Sequence, residues 1–165
     1  LDYDNPRAYG PVPGDTGNGA TNYGYLYNWP AATAGATRTT NPTFRDKAAN
    51  SICAKGWRLP VGGNHGSNSG DFADLDRAFG GTGWAADQGP SQSQWLSSGP
   101  FKGVFAGHWW WDFSGQGDRG YLWSSSPDPV TSDSAAYAGF TTDAVSPGGN
   151  SHARHHGYGV RCLLN

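Results

Sequence analysis

Short apolar segments, each ended by Gly, Ser or Pro within a few residues, fill this chain from about Gly83 to its last residue. Segments of this kind are typical of short β-strands joined by turns. Glycine (26) and proline (11) together account for 37 of the 165 residues, which favours a loop-rich fold. The candidate strands are GVFAG, HWWWDF, GYLWSSS, AAYAGF and GYGVRCLL.

Two helices are predicted ahead of these strands. NPTFRDKAANSIC begins with an Asn-Pro pair suited to a helix start and has apolar residues four apart. SGDFADLDRAFGG gives the clearer signal, since Ser69 or Asp71 can cap it and two glycines end it. Its apolar stripe is Phe72, Leu75 and Phe79. Two helices followed by short strands predict an α+β domain with a small, irregular antiparallel sheet.

The chain is predicted to form one domain, residues 21–165, after an N-terminal arm or linker end at residues 1–20. YGYLYNW, Tyr23–Trp29, is a further strand candidate. Charged residues make up 15% of the chain and the net charge is −2, so nucleic acid is not an expected partner. No apolar segment approaches the length of a membrane span, and direct membrane insertion is not expected.

The two cysteines, Cys53 and Cys162, lie far apart in the sequence, each beside a predicted ordered segment. They could be two buried thiols. A loop-rich composition with few lysines and no glutamate fits a secreted or surface protein better, and there the pair would form a disulfide. A disulfide that closes a loop of this size contributes about 4–5 kcal/mol in the chain-entropy model.

The sequence does not predict an enzyme. Glutamate is absent and the aspartates are dispersed, so no pair of carboxylates for acid–base chemistry stands out. GNSHA, the string nearest to a serine hydrolase elbow, lacks the final glycine and does not follow a predicted strand. Neither a CxxC nor a phosphate-binding GxxxxGK[ST] string occurs. No cofactor is expected.

Two clusters of unusual residues have more than one interpretation. HARHH contains His152, His155 and His156, which could chelate a metal, but a glycine-rich loop favours solvated or partner-contacting histidines, and no metal is expected. Trp109, Trp110 and Trp111 are consecutive, so on a strand they point to both faces. They are either core with a shielded edge or an aromatic platform for a sugar or protein partner.

Several motifs together resemble a known family. YGYLYNW, ICAKGWRLP, DFADLDRAFGG, GYLWSSS and GYGVRCLLN occur in this order between about Thr21 and Asn165. This combination resembles the Fibrobacter succinogenes major paralogous domain family, which is similar to the C-type-lectin-like fold. The resemblance implies two helices packed on a small twisted antiparallel sheet, with the two termini close together. It also implies a disulfide between Cys53 and Cys162.

Some members of that family are variable proteins of diversity-generating retroelements, which mutate template adenines while copying them into the 3′ end of the gene. The resemblance implies fixed places at Phe140, Val145, Pro147, Arg154, Gly157, Tyr158, Val160, Arg161 and Cys162. It implies variable places at Thr141, Thr142, Asp143, Ala144, Ser146, Gly148, Gly149, Asn150, Ser151, His152, Ala153, His155 and His156. These variable places form a polar segment, which is expected to be a loop within a variable region of about residues 124–158.

The residue types in this region agree with such a mechanism. Randomising the two adenines of an Asn codon cannot yield Lys, Gln, Glu, Met or Trp. None of these five types occurs from Ser124 to Asn165, whereas 15 such residues occur from Leu1 to Trp123. An unmutated polar loop remains the alternative, because the rest of the chain also contains few of these residues.

The expected function is therefore a non-enzymatic, hypervariable recognition module on a bacterial cell surface or a phage virion. Its partner would be an unknown protein or glycan on another cell surface, and the chain would belong to a larger surface-anchored or virion protein. A fixed carbohydrate-binding adhesin is the alternative. The Glu-Pro-Asn, Gln-Pro-Asp and Trp-Asn-Asp strings of calcium-dependent lectins are absent. An oxidase related to formylglycine-generating enzymes would need both cysteines for catalysis. The expected ligand-binding residues are Trp109, Trp110, Trp111, Thr141, Asp143, Ser146, Gly148, Gly149, Asn150, Ser151, His152, His155 and His156.

Overall fold

The computed structural model describes residues 3–10, 23–37, 47–63, 68–84 and 91–165. Within these ranges the chain forms three short helices and nine strands. In chain order they are β1 (Ala8–Tyr9), β2 (Leu26–Tyr27), α1 (Trp29–Ala32), β3 (Trp57–Arg58), α2 (Asp71–Ala78), α3 (Gln92–Trp95), β4 (His108–Trp109), β5 (Phe113–Ser114), β6 (Arg119–Pro127), β7 (Ser134–Thr141), β8 (Val145–Ala153) and β9 (Leu163–Leu164).

The described strands are all paired antiparallel. The long strands form one sheet in the order β6-β7-β8, and three two-stranded sheets pair β1 with β2, β3 with β9, and β4 with β5. A mixed α and β fold with small antiparallel sheets and few helices is therefore confirmed. Within the segment predicted as an N-terminal arm, β1 pairs with β2. Of the described helices, none is long and apolar enough to cross a membrane.

The prediction of a polar loop is wrong for most of this segment, because Val145–Ala153 forms the strand β8. Val145 and Pro147 point into the core, while a register shift falls opposite Tyr137 and Ala138. Gly148 and Gly149 lie at this irregularity, where the alternation of inward and outward side chains breaks. Main-chain hydrogen bonds to β7 hold the strand whatever its outward side chains are. Because the irregularity interrupts β8, the sequence of this strand shows no continuous alternation of apolar and polar residues.

Helix α2 forms where the apolar stripe predicted it. Phe72 is buried, and Leu75 and Phe79 pack beside it against Trp95. The predicted cap is wrong: the N-cap residue is Gly70, with a φ of 95°, and it makes no side-chain cap hydrogen bond. The reason is that the Asp71 carboxylate points to Val61 and Arg58 instead.

Other strand and helix predictions were partly wrong. In Tyr23–Trp29 only Leu26–Tyr27 is a strand, because the Asn28 side chain caps α1 at Ala31 N–H. GVFAG forms no strand, and only its Gly107 makes an isolated bridge, to Gly120. The first six residues of the helix predicted in NPTFRDKAANSIC, 41–46, lie outside the described residues, and its described part, residues 47–53, is not helical.

Two apolar clusters fill the interior on the two sides of the β6-β7-β8 sheet. One packs Phe72, Trp95, Phe101, Phe140 and Val145 beneath α2. The other contains Trp29, Leu59, Trp123 and Tyr158. The indole N–H of Trp29 donates to the Ser124 carbonyl at 2.9 Å, so its polar atom is satisfied. Burying each of these large side chains stabilises the fold by about 2–3 kcal/mol.

Cys53 and Cys162 form a disulfide, with Cα atoms 5.8 Å apart, which confirms the pairing implied by the family resemblance. It joins the segment before β3 to the segment before β9, two strands that pair over two residues each. Such a bond is typical of proteins that mature in an oxidising compartment and is compatible with an extracellular location.

Arg58 and Asp71 link β3 to the first turn of α2. Arg58 donates to the two carboxylate oxygens of Asp71 at 2.5 and 3.1 Å, and Val61 N–H donates to the same carboxylate at 2.6 Å. Burial raises the pKa of Asp71, but the hydrogen bonds from Arg58 and Val61, with the Arg58 charge, lower it overall.

Replacing Asp71 by alanine should lower the free energy of unfolding by about 2 kcal/mol, because Arg58 and Val61 N–H lose a shared charged acceptor. The matched control is Asp74→Ala on the same helix. Asp74 pairs with Arg77 in an exposed ion pair, and we expect a loss below about 0.5 kcal/mol. Urea unfolding of both variants at pH 7 measures the difference, and equal losses would contradict the structural role of Asp71.

Candidate recognition site

One face of the β6-β7-β8 sheet carries side chains that the core beneath α2 does not use. In an antiparallel pair, opposite residues point to the same side of the sheet. Asn150 lies opposite Tyr137, and His152 follows two residues later on the same face. The opposite pair Phe140 and Val145 points to the other face, into the core beneath α2. The outward face of β8 is thus separate from its core face.

Aromatic side chains of the second core cluster pack on this face, beside the edge strand β8. Tyr158 stacks on Tyr121 with ring centroids 4.9 Å apart, and its ring lies 5.2 Å from that of Tyr137. Burial is the largest cause that raises the pKa of Tyr137, and the charge interaction with the neighbouring Tyr121 raises it further. A side-chain hydrogen bond between Tyr137 and Asn150 opposes that rise without cancelling it. These contacts hold Asn150 against a rigid aromatic layer.

Tyr158 also fixes the position of His152. Burial raises the pKa of Tyr158 well above its ordinary value, so the phenol keeps its proton at neutral pH. The Tyr158 hydroxyl lies 2.6 Å from Nδ1 of His152. A protonated phenol donates this hydrogen bond to a neutral His152, which then carries its own proton on Nε2.

The β4–β5 hairpin, residues 108–114, is called the tryptophan hairpin, and its tip lies beside the His152 end of β8. The register His108 to Ser114 and Trp109 to Phe113 leaves Trp110, Trp111 and Asp112 as the connecting residues. Trp110 is 48% exposed and Trp111 is 66% exposed. Paired main-chain hydrogen bonds between Trp109 and Gly157, at 2.9 and 2.8 Å, hold the hairpin against the segment after β8. Two indoles are therefore presented on a fixed hairpin.

Four histidines meet under this hairpin, and we call them the histidine cluster: His108, His152, His155 and His156. The His156 ring centroid lies 4.2 Å from that of His152 and 4.6 Å from that of His155. The Trp110 ring lies 5.2 Å from His156, and the Trp111 ring lies 6.3 Å from His155. The hairpin tip thus packs over His155 and His156.

Every member of the cluster has a lowered pKa. Desolvation is the largest cause in each case, and the charge of a neighbouring histidine adds to it for His108, His155 and His156. The pKa of His156 falls to about 3. At neutral pH the cluster is therefore uncharged.

The sequence predicted solvated or partner-contacting histidines in HARHH, and solvation is wrong for two of the three. His155 and His156 are buried because the tryptophan hairpin and Tyr3 pack over them, whereas His152 is exposed. Among the described residues, ring nitrogens of His108, His155 and His156 are buried without a hydrogen-bond partner. No group of three or more His, Cys, Asp or Glu side chains in the described ranges is arranged to hold a metal ion.

The structure brings together part of the predicted site and separates the rest. Asn150, His152, His155 and His156 lie at the end of β8 that meets Trp110 and Trp111. Thr141 and Asp143 lie at the β7–β8 turn, about 25 Å away along the strand. Ser146 lies between these ends on the outward face, and Ser151 pairs with Ala136 on the other face.

Besides His155 and His156, three further predicted site residues are covered. Gly148 and Gly149 are buried, and a Cβ placed on Gly148 would lie 3.4 Å from the Cβ of Phe72 in α2. Trp109 packs under a stacked Tyr9 ring, with centroids 3.9 Å apart. These residues support the surface from below.

Sequence reasoning missed Tyr137 and His108 as members of this surface. Tyr137 joins it only through its register opposite Asn150, and His108 only through the fold of the hairpin. Neither contact leaves a local sequence signal. The strand alternation of Tyr121 and Trp123 was the nearest available hint.

Comparison of the chain with family models, with curated proteins and with solved structures finds no match.

Proposed function

We propose that this chain is a non-enzymatic recognition domain that binds a protein or glycan with the outward face of β8 and the tip of the tryptophan hairpin. In this proposal it has a C-type-lectin-like fold, it resembles the Fibrobacter succinogenes major paralogous domain family, and a retroelement diversifies its variable places. It acts at a bacterial cell surface or on a phage virion.

The observation that carries the proposal is a separation by burial. Of the thirteen variable places implied by the resemblance, nine are half-buried or exposed. The first six fixed places are all buried: Phe140, Val145, Pro147, Arg154, Gly157 and Tyr158. Most residues that would vary are thus accessible, and most residues that would stay fixed are buried. The exceptions are the buried variable places Gly148, Gly149, His155 and His156 and the exposed fixed place Arg161.

The geometry of β8 suits a surface that changes sequence. Its pairing to β7 uses main-chain groups, so outward side chains are free to differ. Solvent-exposed substitutions usually alter stability by less than about 0.5 kcal/mol. The aromatic layer and the disulfide keep the backbone in place, which reduces the ordering entropy lost when a ligand binds.

Two matched libraries test the proposal. The first randomises the outward residues Ser146, Asn150 and His152 with Asn-derived codons. The second applies the same codons to the buried residues Phe140, Val145 and Tyr158. Both are displayed on phage and challenged with protease. We expect most clones of the first library and few clones of the second to resist, because only the buried set builds the core. Equal losses in the two libraries would contradict a variable face on β8.

Sequencing of the gene's 3′ end across a growing population tests the retroelement directly. Substitutions confined to adenine positions of a nearby template, in codons 141–156, are the expected result. An invariant segment without a template would remove the retroelement from the proposal.

A fixed carbohydrate-binding adhesin is the second candidate, and the exposed Trp110 and Trp111 favour it. Flat indole faces supply large contact area at low conformational cost. Glycan-array binding that is lost in Trp111→Ala, together with an invariant β8 in the population, would favour this candidate over the first.

A further inference from the structure

A concave site lies around the ICAKGWRLP motif. It is separate from the recognition face, which consists of the outward side of β8 and the tip of the tryptophan hairpin. The pocket has a volume of about 570 Å³ and shares no residue with β8 or the tryptophan hairpin. Its walls are residues 47–51 and the segment from Cys53 to Val61, with Ser125 and Asn165. This volume lies within the usual range of small-molecule sites, about 300–1,000 Å³.

A tight turn builds one wall of the pocket. Trp57 N–H donates to the Ala54 carbonyl at 2.8 Å, and Gly56 has the positive φ of 85° that the third position of a type II turn requires. This turn places Lys55 and Trp57 at the pocket. Trp57 is 47% exposed, so about half of its surface is accessible where it lines the pocket.

Main-chain hydrogen bonds fix the opposite wall. Ala48 N–H donates to the Ser125 carbonyl at 2.8 Å, and Ile52 N–H donates to the Ala32 carbonyl at 3.1 Å. Residues Asn50 and Ser51 between them contribute amide and hydroxyl groups to the lining. The described walls are therefore held in place without a ligand.

The pocket concentrates positive charge in a chain whose net charge is −2. The sequence has three lysines, Lys47, Lys55 and Lys102, and the first two line this pocket. Arg58 also lines it, but its guanidinium is paired with Asp71. None of the described residues that line the pocket is an Asp or Glu, although the charge of Lys47 reaches the nearby Asp71 carboxylate and helps to lower its pKa.

We propose that this pocket binds a sugar acid, with its carboxylate on Lys47 and Lys55 and the C–H face of its pyranose ring on Trp57. Asn50 and Ser51 hydrogen-bond the ring hydroxyls. Lysine ammonium groups form charge-assisted hydrogen bonds to a carboxylate. The exposed indole supplies a flat apolar surface that a bare anion such as phosphate leaves unused. The pocket also has room for more than a single small ion.

Titrations followed by ¹H–¹⁵N NMR test this proposal with three probes: D-glucuronate, D-glucose and inorganic phosphate. D-glucuronate should shift the Trp57 indole N–H and the Asn50 and Ser51 amides, with affinity in the millimolar range. D-glucose should bind much more weakly. Phosphate should leave the Trp57 indole signal in place.

The lysines provide a matched pair of variants. Lys47→Gln with Lys55→Gln should weaken glucuronate binding about tenfold or more, because both charged donors are lost. Lys102→Gln removes the third lysine, which lies outside the pocket, and should leave the affinity unchanged. Thermal melting checks that each variant is folded.

Four results would overturn the proposal: no shift with glucuronate, equal binding of glucose, equal binding of phosphate at the same residues, or equal effects of the two lysine variants. None of these variants touches β8 or the tryptophan hairpin. The two matched libraries therefore test the recognition face independently of this pocket.

Discussion

Replacing both Cys53 and Cys162 by serine should lower the free energy of unfolding by about 4 kcal/mol. The disulfide spans a sequence separation of 109 residues, and closing so long a loop removes a large amount of conformational entropy from the unfolded chain. The native contacts that remain near it are few, because β3 and β9 pair over two residues each. Urea unfolding at pH 7 measures the difference.

Reduction of the wild-type chain supplies the control. Adding a phosphine reductant should bring the stability of the wild type down to that of the double serine variant. The same reductant should leave the variant unchanged, since the chain has no other cysteine. A double variant within 1 kcal/mol of the wild type would show that core packing alone holds the last strand.

The helix α2 could be predicted from sequence because its determinants are local. Phe72, Leu75 and Phe79 repeat with the helical period, and the glycines that follow end the helix within one turn. The cap could not be predicted in the same way. Asp71 leaves the helix end because Arg58, thirteen residues earlier, offers a bidentate partner.

Strand β8 could not be predicted because its signal depends on its partner. Ser146, Asn150 and His152 are polar and outward, and the glycines at the irregularity interrupt the alternation. Only pairing with β7 distinguishes this segment from a polar loop. Local propensity is a weak guide in strands for this reason.

The residues of the candidate site were predicted as one set, but without their arrangement in space. The sequence singled out the three tryptophans and the HARHH histidines, each with two interpretations. Their meeting depends on the hydrogen bonds between Trp109 and Gly157, a contact between distant parts of the chain. Composition and motif spacing carry no information about such a contact.

The histidine cluster should make the fold sensitive to acid. Each member has a pKa below that of an unfolded histidine, so the unfolded state binds more protons than the folded state between the two values. The contribution of the cluster to the free energy of unfolding is therefore fully present above about pH 6.5, and it falls as the pH decreases toward the folded pKa values. For His156 that window extends down to about pH 3.

His156 should make the largest contribution. A fall from 6.5 to about 3 corresponds to at most about 5 kcal/mol. Solvent that reaches the open side of the cluster reduces this to about 2–3 kcal/mol. We expect the free energy of unfolding to be about 2 kcal/mol lower at pH 4.5 than at pH 7.5. Carboxylates such as Asp71 have an unfolded pKa of about 4, so they change the stability mainly below pH 4.5.

Substituting phenylalanine for His156 separates the cluster from every other source of acid sensitivity. The ring volume is kept and the titratable group is removed, so the variant should lose about half or less of what the wild type loses between pH 7.5 and pH 4.5. Asp71→Asn is the matched control, and it should retain the full loss in this window because its carboxylate titrates lower. Urea unfolding at five pH values gives both curves. A His156→Phe curve parallel to the wild type would place the acid sensitivity outside the cluster, and the covered histidines would then be structural rings alone.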